Sequence, residues 1–188
     1  MWYFLQTSTN KKSTLIELEG SYEKIRNFFL SNGKDEMFEK YLGLTAIAQK
    51  GFTNKMLNEL DYLEDIRMGN IPVFSERFKR IMEPYLTNIV DFYPCQINLN
   101  DNLYRFYAVR IKNIIPIIDY EKSGYRTLTD GSRIVSEPII IKGNINPNIL
   151  IIRDSKYKST VVVSEVFKQI VESKKLKVNF HNTEETLW

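Results

Sequence analysis

An eleven-residue pattern occurs twice in this chain, and each copy dictates the same local build. Val73-Phe-Ser-Glu-Arg-Phe-Lys-Arg-Ile-Met-Glu83 and Val162-Val-Ser-Glu-Val-Phe-Lys-Gln-Ile-Val-Glu172 agree at seven of eleven positions. In each, an apolar residue leads in. A serine then stands where it can accept a bond from a free backbone N–H of a first helical turn. Glutamate at the first helical position suits the positive end of the helix dipole. Phe and Ile, three apart, can face a core, and Lys and Glu, four apart, can pair on a solvated face. Every shared residue has a packing or capping role. The pattern therefore reads as two similarly built helix starts packing on one sheet, rather than as a repeated catalytic or binding element.

Around these anchors the chain divides near Gly69-Asn-Ile-Pro72. Residues 2–6 read as a short strand, followed by a polar turn at 8–13. Ser21 can cap a helix carrying Tyr22, Ile25, Phe28 and Phe29 on one face, stopped by Asn32-Gly33. A second helix is expected over about 35–49, with Met37, Tyr41 and Leu44 or Ala48 inward. A third should start after Thr53 and carry Met56, Leu57, Leu60, Leu63 and Ile66. After Pro72, the helix from Ser75 should kink or end near Pro84. Strands are expected at 89–93, 104–112, 114–119, 139–142, 149–153 and 160–163, because these runs are β-branched or aromatic and bounded by Asn, Asp, Gly and Pro. Residues 121–132 read as a polar loop. A helix over about 164–174 and a last strand at 178–180 close the pattern. The expectation is a single α+β domain over 1–188. It has a mixed or mainly antiparallel sheet with helices packed on it, and a helical N-terminal third over 12–68.

Composition excludes more functions than it suggests. The 26 basic and 23 acidic groups leave a net charge of +3, too balanced for the concentrated basic face of a nucleic-acid binder. No apolar run approaches the length of a membrane helix, because Lys142-Gly-Asn breaks the richest stretch, 139–152. The opening residues lack the order of a secretory leader, so a soluble, cytoplasmic protein is expected. One cysteine allows no intramolecular disulfide, and one histidine allows no two-histidine metal site. The eight glycines are scattered and form no phosphate loop. Nothing around Cys95 marks a reactive thiol to pair with His181. Asp119, Glu121 and Asp130 lie in or near one loop but match no ligand spacing. No catalytic residue, metal or cofactor is therefore expected.

The densest charge is acidic, in Glu59, Asp61, Glu64 and Asp65. On a helix, Asp61 and Asp65 would form a stripe with Glu64 beside them, opposite Leu60 and Leu63. Such a stripe is either a solvated face or a negative patch that attracts a basic partner. Lysines 156, 158, 174, 175 and 177 are too sparse to argue for nucleic acid.

Three ordered blocks carry a family resemblance. They are Ile71–Pro84; Tyr104–Asp119, an aromatic strand followed by an apolar one ending in Asp; and Leu150–Arg153 with Val161–Glu172 and Val178–Phe180. Over roughly 70–182 the chain resembles the immunity proteins of bacterial polymorphic-toxin systems, the group typified by a myxobacterial immunity protein. Residues 12–68 match no pattern of that group. The resemblance implies a protein that binds a cognate toxin domain in the cytoplasm and blocks it, without nucleic acid, membrane or cofactor. It names no toxin-contacting residue and no oligomeric state. A regulator or secretion adaptor, also a protein-binding module, is the alternative reading.

Overall fold

The computed structural model describes residues 1–7, 15–31, 43–65 and 67–185. In chain order its elements are β1 (Trp2–Thr7), β2 (Leu15–Leu18), α1 (Tyr22–Leu30), β3 (Leu44–Ala48), α2 (Asn54–Glu59), β4 (Tyr62–Asp65) and β5 (Pro72–Ser75). Then come α3 (Glu76–Leu86), β6 (Val90–Leu99), β7 (Asn102–Ile111), β8 (Ile114–Ile115), β9 (Gly124–Thr127) and β10 (Arg133–Ser136). The last are β11 (Ile151–Asp154), β12 (Val161–Ser164), α4 (Glu165–Ser173) and β13 (Val178–Asn182).

Strands dominate, and six of them close a barrel in the order β2-β3-β6-β7-β5-β4. A five-stranded sheet, β13-β1-β12-β11-β8, lies against it, and β9 and β10 pair only with each other. The expected α+β domain with a helical N-terminal third is thus overturned. Of the three helices expected there, α1 forms with Ile25, Phe28 and Phe29 buried, but Ser21 makes no side-chain cap bond and Tyr22 is exposed. The second is replaced within the described residues by β3, while Met37, Tyr41 and the Asn32-Gly33 stop lie outside them. The third ends at Glu59, and Tyr62–Asp65 continue as a barrel strand. Its leucines repeat at helical spacing, yet β4 is buried on both faces, so no period-2 alternation betrays a strand.

The long hairpin β6–β7 contains the strands expected at 89–93 and 104–112, and β6 runs on to Leu99, beyond the expected end. Along β6, Cys95, Ile97 and Leu99 are buried between exposed Pro94, Gln96 and Asn98, the alternation of a strand with one wet face. Asn100 and Asp101 make its turn with φ of 50° and 62°, the paired positive values of a two-residue hairpin turn. β7 is buried on both faces. Phe106 and Ala108 point into the barrel, and Val109 and Ile111 point out into a second core. That second core fills the seam between barrel and sheet, and both repeated helices contribute to it.

The two copies of the repeated pattern are realised alike, but on two different sheets rather than one. Ser75 accepts from the Phe78 N–H at 3.0 Å, and Ser164 from the Phe167 N–H at 3.4 Å. The phenylalanines meet in the seam with ring centroids 6.2 Å apart. Phe74 stacks on Phe78 at 3.9 Å, extending the aromatic chain into the barrel wall. α3 runs on to Leu86 with Pro84 inside its last turn. A third cluster, around Ile117, Ile118, Ile152 and Val162, covers the far face of the five-stranded sheet. Residues 139–142, read as a strand, make one isolated bridge, Ile118 to Ile141. The loop expected at 121–132 holds β9, whose partner β10 follows the Asp130-Gly131 turn.

Candidate protein-binding surface

The four acidic residues singled out in the sequence do not share a face. Glu59 is exposed at the end of α2, 3.9 Å from Lys55. Asp61 is 2% exposed and works as a clamp. It accepts from the Ser75 hydroxyl at 2.5 Å, the Lys177 N–H at 2.7 Å and the Arg77 guanidinium at 2.7 Å. It thereby joins the helix start of α3 to the chain entering β13. Glu64 is half-buried, and burial, with Asp65 adjacent, raises its pKa. Asp65 is buried and holds the N–H groups of Leu18, Arg67 and Met68. Burial outweighs these bonds and raises its pKa.

The remaining candidates stand apart. Cys95 is buried inside the barrel, where desolvation pushes its thiol up to about 12; such a thiol is inert at neutral pH. His181 sits in the other sheet, stacked on Phe4 at 6.5 Å. Asp119 accepts from the Glu121 and Lys122 amides and pairs with Lys122 at 3.2 Å. Burial acts against ionisation there, but those bonds outweigh it and lower the Asp119 pKa. Asp130 is occupied by Ser132 in the hairpin turn. Among the described residues, no group of three His, Cys, Asp or Glu side chains is placed to hold a metal ion. None of the described helices is long and apolar enough to cross a membrane.

Sequence reasoning missed a cleft along the outer side of α3. It consists of two adjoining hollows of about 530 and 560 Å³ that share Lys79 and Glu83. Phe92 and Tyr107 form its floor, their rings edge-on at 6.4 Å. The Lys79 ammonium lies 5.1 Å over Tyr107 and 5.9 Å over Phe92, and Arg105 caps Tyr107 from 5.5 Å. Ion pairs ring the floor: Lys79 with Glu83 at 3.1 Å, Lys112 with Asp91 at 2.7 Å and Arg105 with Glu76 at 3.5 Å. An aromatic floor under a charged, hydrogen-bonding rim is the anatomy of a protein contact. A smaller hollow of about 470 Å³ lies between Met56, Glu59 and Leu60 on one side and Lys177 to Asn179 on the other. It places Glu59 on a rim.

The model of the immunity protein family Imm11 matches residues 28–183. The match takes in the end of α1 and all of β3, α2 and β4, elements for which the sequence offered no family pattern, as well as the blocks that did. No curated protein matches the chain. With every barrel and sheet strand except β1 and β2 inside the matched stretch, which spans well over half of the sequence, the chain belongs to the Imm11 immunity protein family.

Proposed function

We propose that this chain is an immunity protein that binds a cognate bacterial toxin domain in the cytoplasm and neutralises it by contact rather than by catalysis. The family match over residues 28–183 carries this reading. The α3 cleft supports it as the contact face. Its aromatic floor can supply the buried anchor of an interface, and its rim can exclude water around that anchor. Arg80 and Lys112 give the rim cationic groups suited to an acidic partner. Glu59, on the other hollow, keeps a carboxylate available for a basic one.

The test is co-expression with the toxin domain encoded beside this gene, followed by titration of the two purified proteins. Rescue of growth and a stable complex are expected. Arg80→Glu with Lys112→Glu should weaken the complex by about tenfold or more, roughly 1.4 kcal/mol, while the melting midpoint falls by no more than about 4 °C from loss of the Lys112–Asp91 pair. No rescue and no complex would remove the immunity reading. Rescue with the double variant binding as tightly as the parent would move the contact face elsewhere.

A further inference from the structure

We propose that the chain is a fused pair: two copies of one six-stranded unit, the second circularly permuted so that one of its strands comes from the start of the chain. The barrel is the first copy, with strand order β2-β4-β5-β7-β6. The five-stranded sheet is the second, with β8-β11-β12-β1-β13 in the same places. Each neighbouring pair runs in the same sense in both: parallel first, then three antiparallel pairs.

The registers agree residue by residue. Ile16 opposes Asp65 as Ile115 opposes Asp154. Leu63 opposes Val73 as Ile152 opposes Val162. Phe74 opposes Tyr107 as Val163 opposes Tyr3, and Val109 opposes Phe92 as Leu5 opposes Phe180. Even the barrel-closing strand has a counterpart. β3 runs antiparallel to β2 and also borders β6. Ile141 bridges Ile118 antiparallel, just past β8, while the Ile139 N–H reaches the Thr183 carbonyl just past β13 at 3.1 Å.

Side chains follow the backbone. Phe78, Met82 and Val109 enter the seam, and so do their counterparts Phe167, Val171 and Leu5. The Tyr107 hydroxyl donates to Glu76 at 3.4 Å, and the Tyr3 hydroxyl donates to Glu165. Lys79 covers the Tyr107 ring at 5.1 Å, and Lys168 covers Tyr3 at 4.4 Å. Phe92 meets Tyr107 edge-on at 6.4 Å, and Phe180 meets Tyr3 edge-on at 6.3 Å. Asp65 accepts from the amides two and three residues on, and from Leu18, two past its ladder partner. Asp154 does the same with Lys156, Tyr157 and Ile117. Two strand–helix motifs that merely resemble one another would not share registers on both flanking strands, a tyrosine from the same neighbour, and the same aspartate turn.

The copies differ in connection. In the first, β6 turns into β7 at Asn100–Asp101. In the second the same corner is a break, where the Thr183 N–H meets the Trp2 carbonyl at 3.2 Å.

The test joins residue 188 to Met1 through a short glycine–serine linker and opens the full chain at Asn100–Asp101. The first copy then carries the break that the second carries natively. The expected permutant folds, with the parent's circular dichroism and a single cooperative melt. Alongside it, Ser164→Ala in the uncut chain should lower the melting midpoint by about 3 °C, and Ser75→Ala by more, because it also removes the hydroxyl donor to Asp61. A permutant without cooperative melting overturns the proposal, and so does a pair of serine variants of which one is silent and the other damaging.

Discussion

Asp65 and Asp154 end equivalent strands and grip equivalent amides, yet their pKa values move in opposite directions. At Asp65, desolvation outweighs the bonds from Leu18, Met68 and Arg67, Glu17 adds a like charge, and the pKa rises. At Asp154, burial also favours the neutral acid, but the bonds from Tyr157, Ile117, Tyr120 and Lys156 outweigh it and the pKa falls. Besides the Glu17 charge, two donors separate the sites. The Tyr120 hydroxyl reaches Asp154 at 2.9 Å, and the Ile118 amide at 3.3 Å. No counterpart of either is among the bonds to Asp65. A shared backbone plan therefore fixes where a buried carboxylate stands, while the side chains around it decide whether its charge favours folding.

The comparison can be broken first at the contact the two copies share. Phe78→Ala and Phe167→Ala each empty the centre of the seam, and each should cost about 3–5 kcal/mol in denaturant melts. A loss confined to one of them would mean that the seam belongs to one copy. Next, Asp154→Asn should cost on the order of 2–3 kcal/mol, because it removes a charged acceptor from several bonds. Asp65→Asn should cost about 1 kcal/mol or less near neutral pH, since burial already opposes that charge.

Acid titration sharpens the same contrast. Asp154 has its folded pKa below the unfolded one. Its stabilising contribution is complete above the unfolded value, about 3.9, and is lost as pH falls through the folded value. Asp65 has the opposite sign. Its contribution is complete below about 3.9 and is lost as pH rises through its elevated folded value. Melts of the parent, D154N and D65N from pH 3 to 7 should show the two slopes disappearing separately. Tyr120→Phe should then make Asp154 behave more like Asp65, for about 1 kcal/mol. Smallest of all, Glu59→Gln breaks only an exposed pair with Lys55 and should change stability by no more than about 0.5 kcal/mol.

What could be read from the sequence was what local chemistry decides. The Ser75 and Ser164 caps and the Phe and Ile spacing behind them are settled within a few residues, and they formed as read, whereas Ser21 makes no side-chain cap bond. The segment 54–65 failed because its leucines satisfy a helix while their partners lie elsewhere. Leu63 pairs across from Val73, and Asp61 is claimed by Lys177, 116 residues away. That is also why an acidic run that looked like one face became a clamp, a turn anchor and a surface group. The β9–β10 hairpin was missed although Asp130-Gly131 between alternating residues announces it, since its strands are polar. The α3 cleft was not legible because its floor comes from two strands and its lid from a helix before them.

Strand β7 has one further consequence. Its alternate side chains are shared between the barrel interior and the seam, so it is a party wall rather than an outer one. A party wall cannot be taken down for one tenant: loss of either core strips one side of the same ten residues, Asn102–Ile111. Heating should therefore yield one calorimetric peak, its calorimetric and van't Hoff enthalpies equal, for a chain assembled from two like halves.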